Sequence, residues 1–220
     1  TLRTLALAGA TLYAGGDFTQ IGGAARNRLA ALDTTSAAAT TWNPDANGAV
    51  HALLLAGTTL YAGGAFTTME GVARSRLAAL DTTASSAITD PAWDPGAGGT
   101  VETLALAAGV LYAGGDFRAV NGVTRRNLAA LDLATGTPTA WDPDANGAVR
   151  ALILNAAGTT LYAGGDFTAV ASQARNRLAG VNTVTGAATG WNPGADGAVH
   201  ALALANGGGS LYIGGTFTTV

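Results

Sequence analysis

One motif recurs five times along the chain and constrains its fold more than any other feature. The seven-residue sequence LYAGGDF, or a close variant of it, occupies residues 12–18, 60–66, 111–117, 161–167 and 211–217. Successive copies lie 48, 51, 50 and 50 residues apart. A fixed period of this length is typical of repeat folds, in which each unit buries its apolar faces against its neighbours. We predict one domain, 1–220, with repeat units at 1–48, 49–99, 100–147, 148–197 and, as a partial unit, 198–220.

Further residue types keep their place in the first four copies. An Arg follows the Phe of the motif by eight positions, and an Asp or Asn follows it by fifteen positions. A Trp comes after a stretch whose length varies by three residues, which indicates a surface loop. The predicted structural residues of the repeats are Gly15, Gly16, Arg26, Asp33, Trp42, Gly63, Gly64, Arg74, Asp81, Trp93, Gly114, Gly115, Arg125, Asp132, Trp141, Gly164, Gly165, Arg175 and Trp191.

Each repeat has the pattern of four short strands. The first is an alternating Leu-rich segment such as 49–57, the second contains the LYAGG motif, the third is RLAALD, and the fourth is a short segment around the Trp. Turn sequences such as NPDANG separate the repeats. Four strands in about 50 residues, repeated in tandem, predict an all-β fold, a β-propeller of four-stranded blades with about five blades, the last incomplete. We expect the Gly doublets to permit close backbone approach and the Trp and Tyr rings to fill the space between blades.

Composition excludes several classes of protein. With 11% charged and 48% hydrophobic residues, the chain is too apolar to be disordered. Its net charge of −3 offers no basic surface for nucleic acid or anionic membrane. The sequence has no cysteine and no apolar run of about 20 residues, so we expect no disulfide, no thiolate metal site and no membrane insertion.

The repeat resembles two propeller families. The segments LYAGGDFTQIGGAARNRLAALD (12–33) and WNPDANGAVHALLLAG (42–57) are similar to the delta-60-type repeat of bacterial secreted and surface proteins, and their layout is kelch-like. The resemblance covers essentially the whole chain. It implies a β-propeller module of uncharacterised function within an extracellular or cell-surface bacterial protein.

The candidate ligand contacts are the polar residues at the start of each first strand: Arg3, His51, Glu102, Arg150 and His200. The kelch-like layout implies that the first strand is innermost, which would set these side chains around one mouth of a central channel. Variable polar residues on a uniform frame are typical of a specificity site, and equally of a solvated rim. The two His residues lack further ligands, so we predict no metal site.

No catalytic or cofactor motif accompanies the repeats. Asp17, Asp116 and Asp166 follow three of the five Gly doublets, and we expect them to bond a backbone amide or the repeat Arg. The turns 44–48 and 143–147 superficially resemble calcium loops but lack the terminal bidentate Glu. We therefore expect no enzyme activity and no cofactor.

The sequence leaves three functions open. The first is a structural or binding module for a protein or glycan partner, and the second is a glycan-binding or glycan-cleaving propeller. The third is a filament-forming subunit joined by strand exchange, since the fifth unit contains only two of its four strands. A fragment of a longer protein, a partner chain that completes the blade, or an open superhelical array would each explain the half blade.

Overall fold

The computed structural model describes residues 1–84, 89–205 and 209–220, and these contain strands, turns and loops but no helix. The variable loop before Trp93 includes residues 85–88, which lie outside the described residues. None of the described segments forms a helix able to cross a membrane.

Each of the first four repeats forms one three-stranded antiparallel sheet and one small hairpin. In repeat 1 the sheet consists of β1 (Leu2–Ala8), β2 (Thr11–Gly16) and β5 (Leu29–Asp33), and the hairpin of β3 (Gln20–Ile21) and β4 (Ala24–Ala25). Repeat 2 comprises β6 (Val50–Ala56), β7 (Thr59–Gly64), β8 (Thr68–Met69), β9 (Val72–Ala73) and β10 (Leu77–Asp81). Repeat 3 comprises β11 (Thr100–Ala107), β12 (Val110–Asp116), β13 (Ala119–Val120), β14 (Val123–Thr124) and β15 (Leu128–Asp132). Repeat 4 comprises β16 (Val149–Leu154), β17 (Thr160–Gly165), β18 (Ala169–Val170), β19 (Gln173–Ala174) and β20 (Leu178–Asn182), and repeat 5 comprises β21 (Val199–Leu204) and β22 (Leu211–Gly215).

The sheet order is first, second, third strand in every complete repeat. The expected fourth strand is reduced to a single antiparallel bridge, such as Leu32 with Ala39. The chain then leaves the sheet, because Pro44 has no N–H to donate and Asp45 takes a φ of 47°. A short side-chain turn closes the third strand beforehand: the Asp33 carboxylate accepts bonds from the backbone N–H groups of Thr35 and Ser36.

Two compact units make up the chain, Thr1–Val101 and Glu102–Val220. In the first unit, Tyr13 and Trp42 of repeat 1 pack in one apolar cluster with Leu60 and Phe66 of repeat 2. The Tyr and Trp rings meet edge to face at 5.1 Å, and Trp42 Nε1–H donates to the Asp81 carbonyl at 3.0 Å. One repeat thus covers the face of the next, which neither sheet could bury alone.

The second unit repeats this packing. Tyr112 and Trp141 of repeat 3 share a cluster with Leu161 and Phe167 of repeat 4, and Trp141 Nε1–H donates to the Asn182 carbonyl at 2.9 Å. The shared apolar face is the main source of stability, since aromatic pairs of this geometry contribute only about 0.5–1.5 kcal/mol beyond their buried area.

The Gly doublets lie where strands approach most closely. A Cβ on Gly15 would lie 2.7 Å from Thr4 Cγ2 and 2.8 Å from Val50 Cγ1 of the next repeat. A Cβ on Gly16 would lie 3.0 Å from Leu2 Cα in its own sheet. The first Gly therefore sets the spacing between repeats, and the second sets the spacing to the first strand.

A polar clasp also joins consecutive repeats. The Asn47 side-chain oxygen accepts bonds from the N–H groups of Thr67 and Thr68, at 2.8 and 2.9 Å. The corresponding clasp residues Asn146 and Asp196 bind the loops after Phe167 and Phe217 in the same way. These three turns are thereby fixed to the following repeat, whereas the turn after repeat 2 has Gly98 at the clasp position.

Candidate functional site

Four of the five candidate residues at the start of the first strands occupy β-bulges, and Glu102 holds the equivalent sequence position in β11. The pairing register shifts between Leu2 and Thr4, so Arg3 is the extra residue in its ladder. The same shift spans His51, Arg150 and His200 in their strands. A bulge leaves its extra residue outside the regular alternation of the strand and redirects its side chain. These side chains are therefore presented at an irregular strand end opposite the Gly doublet.

In the first unit, Arg3 and His51 act on the same carboxylate. The Arg3 guanidinium pairs with Asp17 through Nη2 at 2.6 Å and Nε at 2.7 Å, and both side chains are exposed. This hydrogen bond, followed by the charges of Arg3 and His51, holds the pKa of Asp17 below its ordinary value. The arrangement is a solvent-accessible ion pair with a neighbouring imidazole.

In the second unit, Arg150 pairs with Asp166 through Nη2 at 2.6 Å and Nε at 3.0 Å. That hydrogen bond is the main reason why the pKa of Arg150 is raised above its ordinary value. The charges of Glu102 and Asp116 raise it further, which puts both carboxylates in the field of the same guanidinium. His200 is exposed on β21.

The expected bond of Asp17 and Asp166 to a backbone amide or to the repeat Arg is not formed among the described residues. Both carboxylates bind the Arg of the bulge instead. The bulge brings that Arg beside the residue after the Gly doublet, an arrangement that spacing along the sequence does not reveal.

The repeat Arg binds backbone carbonyls. Arg74, 4% exposed, donates to the carbonyls of Ala73 at 2.7 Å and Asp90 at 2.9 Å, and its Nη1 lies 3.6 Å from the carboxylate of Asp94. It therefore fixes the segment before the Trp to the small hairpin. The buried Nε atom of the repeat Arg has no partner among the described residues in any of the four copies: Arg26, Arg74, Arg125 and Arg175.

The Trp rings offer little surface to a ligand. Trp42, Trp93 and Trp141 are buried, and Trp191 is half-buried. A cavity of about 480 Å³ lies beside Trp141 and Tyr112, yet Tyr112 Oη–H already donates to the Thr183 carbonyl at 3.1 Å. The polar atoms of this aromatic pair are thus bonded to backbone, which leaves only ring edges at the cavity.

No metal centre is assembled by the residues that the structure describes, since no three His, Asp or Glu side chains converge. In the turn 44–48, Asp45 accepts from Asn27 Nδ2 at 2.7 Å and Asn47 belongs to the clasp. Both oxygen-bearing side chains of this turn therefore have structural partners.

Sequence reasoning missed two sets of residues. The clasp Asn or Asp is one, although it occupies the position three residues before the first strand in three of the four turns. The other is the pair Arg118 and Arg126, which line a polar cavity of about 250 Å³ in repeat 3. Their signal is a departure from the repeat: other copies carry Thr and Asn or Ser at these positions.

The sequence matches no protein-family model and no curated protein sequence. Solved structures of similar fold are β-propellers or contain them. The β-propeller domain of Cps50 (Swd1) from Myceliophteria thermophila superposes with a TM-score of 0.61 at 13% identity, over 97% of this chain and 62% of that one. A chain of the mitotic checkpoint complex gives 0.65 at 15% identity, over 100% of this chain and 61% of that one.

A third match is the extracellular domain of the putative hybrid two-component system BT4673 from B. thetaiotaomicron, with a TM-score of 0.63 at 15% identity. The match includes 100% of this chain and 26% of that one. The chain thus spans less than two thirds of each of these structures. Together with the repeated antiparallel sheets, these matches confirm that the fold is an all-β propeller.

Proposed function

We propose that this chain is a non-enzymatic interaction module, which recognises a protein partner through the bulge residues of its first strands. The proposal rests on the contrast between the repeated structural residues, which form the frame, and the variable residue at the bulge position. The frame repeats its Gly, Arg and Trp residues, whereas the bulge position carries Arg, His, Glu, Arg and His in turn. Arg3 and His200 are exposed, and His51, Glu102 and Arg150 are half-buried. Polar and charged side chains at such positions are suited to partner selection, because complementary charge determines specificity more than affinity.

The similar structures support an interaction role by analogy, since one of them is a chain of a checkpoint complex. We place the module in a secreted or surface-exposed bacterial protein with delta-60-type repeats. The absence of cysteine and the extracellular domain among the similar folds support this placement. An antibody against the chain should detect its parent protein in the medium or on intact cells; detection only after lysis would contradict the location.

The binding proposal is tested by comparing two triple variants. The first replaces the bulge residues His51, Glu102 and His200 by Ala. The control replaces exposed polar residues of the small hairpins, in the variant Gln20→Ala, Thr124→Ala, Gln173→Ala. Immobilised wild-type chain and both variants are exposed to proteins released by the source bacterium, and bound proteins are quantified by mass spectrometry.

A partner of the bulge residues should be retained by the wild type and the control and lost from the bulge variant, with Tm values within about 2 °C because all replaced side chains are outside the core. Equal retention by all three would show that the bulge residues are not the binding site. A glycan partner is less well supported, because the Trp rings that would stack on sugars are buried or half-buried.

Self-association through the fifth repeat is a second candidate, and one observation favours it. Tyr212 is 65% exposed, whereas its equivalent Tyr13 is 4% exposed under the face of the next repeat. Leu5 and Leu7 of β1 are likewise exposed, and they belong to the strand type that covers such a Tyr elsewhere. If the two faces join copies of the 220-residue chain, Tyr212→Asp should shift its sedimentation to the monomer; a monomeric wild type would refute this candidate.

A further inference from the structure

Repeat 3 differs from the other repeats at two positions that line one cavity. Arg118 stands where the other four copies have Thr after the Phe of the motif. Arg126 stands where the other complete copies have Asn or Ser. Both side chains are exposed and border the same polar cavity of about 250 Å³, together with Asn127 and Asn146. The chain therefore places two additional cations at one point of an otherwise repeated frame.

Neither guanidinium group forms a close hydrogen bond within the described part of the fold. For the Arg118 guanidinium there is no hydrogen bond or ion pair to any residue in the described ranges. The Arg126 Nε atom lies 3.9 Å from a carboxylate oxygen of Asp144, and both side chains are more than half exposed. In repeat 1 the equivalent pair, Asn27 and Asp45, forms a direct bond of 2.7 Å. The Arg substitution thus replaces a structural bond with a loosely held charge.

Two carboxylates accompany the two cations at the cavity. Asp144 lies 3.9 Å from Arg126, and Asp116 borders the cavity and also lies in the field of Arg150. The side-chain amide of Asn127 donates to the Ala145 carbonyl at 2.8 Å, and that of Asn146 donates to Thr168 Oγ1 at 2.9 Å. The guanidinium groups of Arg118 and Arg126 are therefore the donors left for a ligand.

The size and chemistry of the cavity restrict the kind of ligand that it can bind. Guanidinium groups bind carboxylates through paired, charge-assisted hydrogen bonds. A cavity of about 250 Å³ is smaller than the usual small-molecule site of about 300–1,000 Å³ and admits a side chain rather than a whole metabolite. We infer that Arg118 and Arg126 form an acceptor site for a carboxylate side chain of an acidic peptide segment, an inference that rests on the proposed role in protein interaction.

The chain supplies its own replacement residues for the test. The variant Arg118→Thr, Arg126→Asn introduces the residues found in repeats 1 and 4, so the fold should tolerate it. The control Gln20→Glu, Gln173→Glu lowers the net charge by the same two units, at exposed positions of the small hairpins. The probe is a fluorescein-labelled hexaglutamate peptide, with hexaglutamine as its uncharged counterpart, and binding is measured by fluorescence anisotropy at low and at physiological salt.

We expect the wild type and the Gln20→Glu, Gln173→Glu control to bind hexaglutamate and not hexaglutamine, and the double Arg variant to bind hexaglutamate at least tenfold more weakly. Because the whole chain carries a net charge of −3, non-specific attraction of a polyanion is disfavoured. Binding should weaken with salt, and the amide resonances of Asn146 and Gly147 should shift on titration in the wild type and the control but not in the double Arg variant.

Three results would overturn the inference: no binding of hexaglutamate, equal loss of binding in the Gln20→Glu, Gln173→Glu control and the double Arg variant, or retention of binding in the double Arg variant. Binding of polygalacturonate but not of hexaglutamate would also overturn it, in favour of an acidic glycan. The two proposals can fail separately. A partner that is lost from the bulge variant but retained by the Arg118→Thr, Arg126→Asn variant would support the bulge site and not the Arg118–Arg126 site.

Discussion

The spacing between repeats 4 and 5 should depend on the absence of a side chain at Gly164. A Cβ at this position would lie 2.6 Å from Val199 Cγ1 and 3.1 Å from Val199 Cβ. Carbon atoms pack best at about 3.5–4.0 Å, so the strands would have to separate by about 1 Å. Val199 is fully buried and branched at Cβ, so it has little freedom to rotate away. We expect Gly164→Ala to cost about 1–3 kcal/mol through overpacking.

The matched control is Gly190→Ala in the same repeat, where a Cβ would meet no atom within 4 Å. Both substitutions reduce the freedom of the unfolded chain equally, which stabilises by about 0.4–1 kcal/mol. The difference between the two variants therefore isolates the steric term. Free energies of unfolding from urea denaturation, followed by Trp fluorescence, should place Gly164→Ala about 1–3 kcal/mol below Gly190→Ala.

A second substitution tests the named contact. Val199→Ala removes the methyl group that a Cβ on Gly164 would meet, so in the Gly164→Ala background it should cost less than in the wild type. We expect a coupling energy of about 0.5–3 kcal/mol. Additive effects, or equal stability of Gly164→Ala and Gly190→Ala, would refute the close approach of these strands.

Three further predictions concern other contacts between repeats. Trp141→Ala should lower the free energy of unfolding by about 3–5 kcal/mol, because it opens a large cavity; a cost near zero in urea denaturation would mean that the ring is not part of the core. Asn146→Ala should accelerate hydrogen exchange of the Thr168 and Ala169 amides, which lose their acceptor, and unchanged protection by NMR would contradict the clasp. Hydrogen bonds from Thr218 and Thr219 lower the pKa of Asp196, so its contribution to stability is present above the unfolded value of about 3.9 and is lost as pH falls through the folded value. Between about pH 4 and pH 2, the Tm of Asp196→Asn should therefore fall less than the Tm of the wild type; parallel curves of Tm against pH would contradict this.

The sequence predicts the fold well because the same local signals occur in every repeat. The Leu-rich segment, the LYAGG motif and the RLAALD segment indicate the first three strands, and these form one sheet in each complete repeat. The fourth strand was overestimated, because the Trp that marks it belongs to a segment that contacts the sheet through one bridge. Its indole N–H bonds the neighbouring repeat, and the Pro that follows precludes a longer ladder.

The candidate site was less predictable, because its geometry depends on irregularities. A bulge cannot be read from alternation alone, since Leu2 and Thr4 pair with Gly16 and Gly15 only after Arg3 has been left out of the ladder. The partner of Asp17 therefore could not be assigned from spacing.

The indole bond between repeats has an evolutionary consequence. The acceptor is the carbonyl of Asp81 in one case and of Asn182 in another, and a main-chain oxygen is present whatever the side chain. Nothing on the receiving side has to co-adapt before a duplicated copy can be accepted. Gene segments encoding single repeats could thus be duplicated or exchanged by recombination with this bond preserved, while the bulge residues diverged freely.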